Sequence, residues 1–243
     1  MPVNLSHLTT PADAFTQALF LAATALTLGL LLRAVQRAGG ASGLWLAGAV
    51  GWLAAQAVLA QSGIYQEVAT VPPRLLMFGI APAVLILAAA LRSSSGASRQ
   101  MRLTTLTALS SVRVLVEVVL YRLAAQQLVP ELMTFAGYNV DILAGLTAPV
   151  VAYAAQRGWV GRRGLLAWHL LGLGLLLTII ALAFLSAPSP VQRLAFEQPN
   201  VAVLQFPFVW LPTFIVPVVL FTHLAALKQL GRQPHAAGSV LPA

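Results

Sequence analysis

The sequence predicts an all-α, polytopic integral membrane protein with seven transmembrane helices, and three observations predict it. The first is composition. Of 243 residues, 59% are hydrophobic and only 8% are charged, against roughly 45–50% and about 25% in an ordinary soluble domain. Six acidic and fourteen basic side chains cannot cover a water-soluble surface of this size. The second is a series of apolar stretches, each near the ~20 residues that a bilayer crossing needs. The third is the distribution of basic residues, which alternates from loop to loop.

The spans read from the sequence are Ala14–Leu32, Gly43–Ala60, Leu75–Leu91, Leu103–Leu123, Asn139–Ala155, Leu165–Leu185 and Val201–Leu227. Span one opens after Asp13. The stretch before it, Met1–Ala14, lacks the basic region of a cleaved signal, so span one is read as retained. Span two carries Ala47 and Gly51, a small-xxx-small pair suited to close helix approach. Span three contains Pro82. Span five, one of the shortest, opens at Asn139 and Asp141 and contains Pro149. Span six carries Gly172 and Gly174. Span seven begins with the aromatic run Phe206–Trp210, which suits the outer interfacial belt, and contains Pro212 and Pro217. Short loops join the spans, as expected of antiparallel neighbours.

Basic residues set the expected orientation. Arg33, Arg37, Arg92, Arg99, Arg102, Arg157, Arg162, Arg163, Lys228 and Arg232 all fall on one side. The positive-inside rule makes that side cytoplasmic, with the N-terminus outside and the C-terminus inside. The net charge of +8 is mostly this topological signal. The basic residues are dispersed among loops, which excludes a nucleic-acid-binding face. The expected location is the cell membrane, multi-pass, in a cell inner membrane. One transmembrane domain covers residues 1–230. The Ser93–Gln100 loop is expected to be flexible, and the tail 231–243 to be a disordered cytoplasmic segment.

Spans one to three and five to seven run in the same directions, and short segments of them match. Ile80-Ala-Pro82-Ala-Val-Leu aligns with Ile215-Val-Pro217-Val-Val-Leu, and Asp13 and Asp141 both open their spans. A 3+1+3 arrangement is therefore expected. Parallel repeats of this kind occur in some transporter folds.

Span four carries the chemistry. Thr107, Ser110, Arg113, Glu117 and Tyr121 recur at three- and four-residue spacing, so they share one stripe of a helix. An ionisable group at bilayer depth costs at least ~2.5–3.5 kcal/mol on insertion scales, so such a stripe faces the bundle interior. Arg113 and Glu117, four apart, are expected to meet as an ion pair. Glu117 is the expected protonatable group, and Asp141 an outer acceptor. Tyr138, Asn139 and Asp141 with Tyr121 and Arg122 would form an outer polar vestibule. The loop Gln126–Tyr138, rich in Leu, Val, Met and Phe, is read as an interfacial turn of helix resting on the bundle.

His169 and His223 lie near the cytoplasmic ends of spans six and seven, where they either pair with each other or serve as helix-packing residues hydrogen-bonded to backbone or to Thr222. They are the only candidates for a metal, and two ligands fall short of the three a zinc site wants; no metal and no cofactor is expected. Each in-span proline frees the carbonyl four residues earlier: Phe78 for Pro82, Gly145 for Pro149, Phe208 for Pro212 and Thr213 for Pro217. Freed carbonyls line cavities, bind cations or mark hinges.

Several classes are excluded. Cysteine is absent, so disulfides and thiolate sites are impossible. No phosphate-binding glycine loop precedes a helix. The only lysine, Lys228, lies at a span end, which argues against a retinal Schiff base. The first expected function is transport of a small solute or ion along span four, with or without proton coupling. The alternatives are a membrane-embedded enzyme acting on a lipid or isoprenoid, with Glu117 or His169 as acid–base group, and a non-catalytic assembly partner. Beyond the lipid bilayer, the expected partners are a solute or a proton.

Overall fold

The computed structural model describes residues 3–92 and 100–232. The expected flexible loop, apart from Gln100, and the tail from 233 onward lie outside the described residues. The fold is all-helical, with no strand among the described residues. Among the described residues seven apolar helices make it up: α1 (Ala14–Arg37), α2 (Ser42–Gln61), α3 (Leu76–Arg92), α4 (Leu103–Ala125), α5 (Ile142–Gln156), α6 (Arg162–Ser186) and α7 (Leu211–Arg232). Five of them, α1, α2, α4, α6 and α7, are long and apolar enough to cross a membrane; α3 and α5 are shorter apolar helices.

α1 starts where Asp13 accepts a hydrogen bond from the Thr16 backbone N–H at 2.9 Å, satisfying one of the free donors of a first helical turn. α4 is the central helix and packs against α1, α5 and α7. Leu106, Leu109, Val112, Val119, Leu120 and Leu123 are all buried. A helix that is apolar on nearly every side belongs in a core, and here Thr107, Ser110, Arg113 and Glu117 of α4 are buried with it.

The ends of the helices gather in two groups. At one end, Lys228 of α7 donates to the Leu91 carbonyl of α3. Arg162 of α6 donates to the Leu230 carbonyl at 2.9 Å, and Gln229 donates to the Met101 carbonyl before α4 at 3.1 Å. This end carries the basic residues. At the opposite end Arg122 meets Asp13 at 3.3 Å, and Gln198 donates to the carbonyls of Ala124 at 3.0 Å and Val129 at 2.7 Å. The connections 126–141 and 187–210 cover that end together. Within them Glu131–Met133 forms a 3₁₀ turn, with Leu128, Val129 and Met133 buried on the bundle.

Two expectations are corrected here. The apolar run from Val201 does not begin a span, because helix α7 starts only at Leu211. Val201, Ala202, Val203 and Leu204 are buried, but the Val201 and Ala202 N–H groups donate to the Leu128 carbonyl at 3.1 and 3.0 Å. The segment is thus an apolar cap tied to the preceding loop, and Pro207 and Pro212 withhold donors a helix would need. The outer vestibule does not assemble either. Tyr138 is 79% exposed, and Arg122 is held by Asp13 and Thr16, while Asn139 and Asp141 turn into the core.

The prolines have a specific structural consequence. α3 opens with a π-helical turn over Leu76–Ile80, and α7 with one over Leu211–Ile215. Each turn lies just ahead of the helix proline, Pro82 or Pro217. The freed carbonyls are capped from α2: Gln56 donates to Phe78 O at 3.1 Å and Trp52 to Thr213 O at 2.9 Å.

Candidate functional site: a buried polar cluster between α4, α5, α6 and α7

The cluster begins with a local change in α4. At Ser110–Ser111 the backbone switches to i→i+3 bonds. Ser110 N–H reaches Thr107 O at 3.1 Å, Ser111 N–H reaches Ala108 O at 3.1 Å, and Arg113 N–H reaches Ser110 O at 3.2 Å. A stretch of 3₁₀ geometry inside a helix marks a hinge or a strained sequence. α5 packs tightest just beyond it. A β-carbon on Gly145 would lie 2.9 Å from the Val114 backbone nitrogen and 3.1 Å from the Arg113 β-carbon. Only glycine permits that approach, and it brings Asp141, one turn earlier, to α4.

Arg113 therefore meets Asp141. Its Nη1 lies 3.1 Å from Asp141 Oδ1, with the side chains 3% and 6% exposed. Its Nη2 donates to the Gly172 carbonyl of α6 at 3.0 Å. The expected pairing with Glu117 does not form. Glu117 is drawn to Asn139, whose Nδ2 donates to Glu117 Oε1 at 2.5 Å and to the Met133 carbonyl at 3.0 Å. Asn139 Oδ1 accepts the Asp141 N–H at 3.0 Å. With donors and acceptor all assigned, the orientation of this amide is set by its partners.

Of the two readings of the histidines, the structure shows the pair, while the Thr222 hydroxyl donates to the Val219 carbonyl at 2.8 Å. His169 Nδ1 and His223 Nδ1 are 3.0 Å apart, and His169 Nε2 is 3.2 Å from Thr107 Oγ1. Thr107 donates its hydroxyl proton to the Leu103 carbonyl at 2.8 Å, so it accepts from His169 Nε2. For two neutral rings this fixes both tautomers. His169 carries its proton on Nε2 and accepts at Nδ1; His223 donates from Nδ1, and its Nε2 is a bare lone pair. That Nε2 has no hydrogen-bond partner among the described residues. Gly172 makes room for the ring, since a β-carbon there would lie 2.6 Å from His223 Cε1. Trp168 borders both imidazoles, with ring centroids 4.9 and 5.6 Å away.

Of the residues singled out from the sequence, the structure gathers Arg113, Glu117 and Asp141 directly. Ser110 is buried one turn before Arg113, and its hydroxyl has no hydrogen-bond partner among the described residues. Tyr121 is not in the cluster: it is 49% exposed and stacks on Phe135 at 5.0 Å. Sequence reasoning missed the Gly172 carbonyl as the second acceptor for Arg113, since a backbone acceptor on another helix leaves no signal in residue spacing. Among the described residues no group of three or more His, Cys, Asp or Glu side chains gathers as metal ligands. Among the clefts formed by the described residues are one of about 360 Å³ between α2, α3 and α7 and one of about 390 Å³ between α1, α4 and α5. Neither is lined by Arg113, Glu117, Asp141 or the histidine pair.

Residues 71–231 match a family described as a domain of unknown function, DUF8737. The chain belongs to that family. The DUF8737 match covers α3 through α7 and so holds every residue of the polar cluster. Comparison with curated proteins and with solved structures gave no match.

Proposed function

We propose that the chain is a multi-pass membrane transporter that moves a small solute or ion with a proton, using the α4 cluster as its charge-handling centre. One observation carries this reading: a single buried guanidinium lies among two buried carboxylates, Asp141 and Glu117. Arg113 can neutralise only one of them. The other must hold a proton or a cation, because an uncompensated buried charge is prohibitively costly. Glu117 Oε2, which has no hydrogen-bond partner among the described residues, is the atom where that proton or cation sits. Arg113 pairs with Asp141 in this state. Glu117 lies one turn along the same helix, within reach of an arginine that swings. Exchange of Arg113 from Asp141 to Glu117 would discharge the proton and leave Asp141 as acceptor. The Ser110–Ser111 break is the natural place for such movement.

In this reading the basic end faces the cytoplasm, with the N-terminus outside, and the protein resides in the cell inner membrane. A 3+1+3 arrangement is part of the same proposal. The two π turns, Leu76–Ile80 and Leu211–Ile215, stand at the same spacing from Pro82 and Pro217, which supports a duplication placing α3 opposite α7.

The test is proton flux in proteoliposomes loaded with a pH-sensitive dye, challenged with panels of cations, sugars, amino acids and organic anions. Flux with one class, lost in Glu117→Gln, is the expected result. No flux with any class would reject transport. The enclosure of the cluster away from both clefts favours one second reading, an assembly partner in which the ion pair only locks the helices. Full function in a chain lacking both Arg113 and Asp141 would select it.

A further inference from the structure

The bundle has an unbalanced end. All six side-chain carboxylates of the chain are Asp13, Glu67, Glu117, Glu131, Asp141 and Glu197. Asp13 pairs with Arg122, Glu67 with Arg74 and Asp141 with Arg113. Glu117 is held in the core by Asn139. Glu131 and Glu197 lie in the two connections that cover the opposite end. Among the described residues, no carboxylate side chain is therefore paired with the arginines at the ends of α1 and α5.

The cleft of about 390 Å³ between α1, α4 and α5 opens at this end. That volume is within the ~300–1,000 Å³ of small-molecule sites. Its rim holds Arg33 and Arg37, four apart on α1 and so on one face, and the hydroxyls of Thr104 and Thr105 on α4. Neither arginine has an ion-pair partner among the described residues. The wall below is apolar and comes from Leu30, Ala108 and Pro149. A third arginine, Arg157, stacks over Tyr153 at 5.1 Å beside the cleft. A charged rim above an apolar wall, both formed by bundle helices, has the polarity profile of a phospholipid. Basic pockets between membrane helices take anionic head groups.

We infer that this cleft is a binding site for an anionic phospholipid. Its phosphate is held by Arg33, Arg37 and the two threonine hydroxyls, and an acyl chain runs along Leu30, Ala108 and Pro149. Ala108 lies two residues before Ser110 and its carbonyl accepts the Ser111 N–H at 3.1 Å, so the bound lipid braces α4 where its helix changes geometry. This inference does not depend on the transport proposal.

The full-length purified protein is tested by thermal melting in detergent with phosphatidylglycerol, phosphatidylcholine or inorganic phosphate added. Phosphatidylglycerol should raise the melting temperature of wild type and of the control Arg163→Gln, whose arginine is not part of the cleft. In Arg33→Gln/Arg37→Gln the lipid concentration needed should rise roughly 30-fold, the sum of two basic contacts to an anionic head group. Ala108→Phe fills the apolar wall and keeps both arginines, and it should weaken the lipid effect as well. An equal response to inorganic phosphate would assign the site to a free phosphate and overturn the lipid. An equal response to phosphatidylcholine, or an unchanged response in the double variant, would overturn the site.

Discussion

Arg113 pairs with Asp141 across the α4–α5 interface at 3.1 Å, and not with Glu117, its neighbour four residues along the same helix. The pair that matters energetically is therefore between helices, and removing one member strands a buried charge. Arg113→Leu and Asp141→Leu should each destabilise the protein by about 3–5 kcal/mol, while Arg113→Leu/Asp141→Leu recovers most of the loss. A double-mutant cycle of melting temperatures measures this directly. Additive losses would mean that the two side chains do not interact.

Asn139 ties three elements together through one amide. It donates to Glu117 and to the Met133 carbonyl and accepts from the Asp141 N–H. Asn139→Ala leaves buried groups without partners, for about 1–3 kcal/mol each at most. Hydrogen exchange should also rise through the Glu131–Met133 turn, which loses its anchor. Faster exchange confined to other regions would show that Asn139 does not hold this loop.

Much of the fold was legible because apolarity is a one-dimensional property. Starts such as Ala14 and Leu103 need only the run of hydrophobic residues that follows. The start of α7 was not, since Val201–Leu204 is as apolar as a span, and only its bonding to the Leu128 carbonyl marks it as a cap. In the site, the stripe of Ser110, Arg113 and Glu117 could be read from helical spacing. Partners from other helices could not: whether Arg113 reaches Asp141 or Glu117 depends on how closely Gly145 lets α5 approach. Tyr121 fits the same spacing but lies beyond the turn where neighbouring helices enclose α4, so its ring meets Phe135 at the surface.

Gly172 serves two neighbours, as an acceptor for Arg113 and as space for His223. Gly172→Ala puts a methyl 2.6 Å from His223 Cε1. A backbone or ring shift must follow, at about 1–3 kcal/mol for overpacking. Gly174→Ala, two residues on, meets nothing within 4 Å and should stabilise the helix by about 0.5–1 kcal/mol. Opposite signs of the two melting-temperature shifts are expected. Stabilisation by both would show that His223 is not packed against Gly172.

Asp13 caps α1 outside the membrane span. Hydrogen bonds from the Thr16 side chain and N–H, then the Arg122 charge, hold its carboxyl below the usual 3.8. A carboxylate with a depressed folded value stabilises the native state above its unfolded value. That contribution disappears as pH falls through the folded value. Asp13→Asn should thus lower stability near neutral pH and flatten the loss seen on acidification below about pH 4. Parallel acid profiles for variant and wild type would show that other groups set this limb.

Gln56 and Pro82 offer a test of why polar side chains stand on the α2 face toward α3 and α7. Pro82 has no N–H to give back to Phe78, and Gln56 supplies the missing donor while accepting from Tyr65 at 2.7 Å. Gln56→Leu should cost about 1–3 kcal/mol, because the carbonyl and the phenol both lose a buried partner. Pro82→Ala restores a backbone N–H one turn after Phe78. In that background the carbonyl has an alternative donor, and the same Gln56→Leu change should cost measurably less. The coupling in this cycle isolates the Gln56–Phe78 bond from the Gln56–Tyr65 bond, since only the former is replaceable by backbone. A Gln56→Leu loss of equal size in both backgrounds would mean that the glutamine stabilises the bundle through Tyr65 alone.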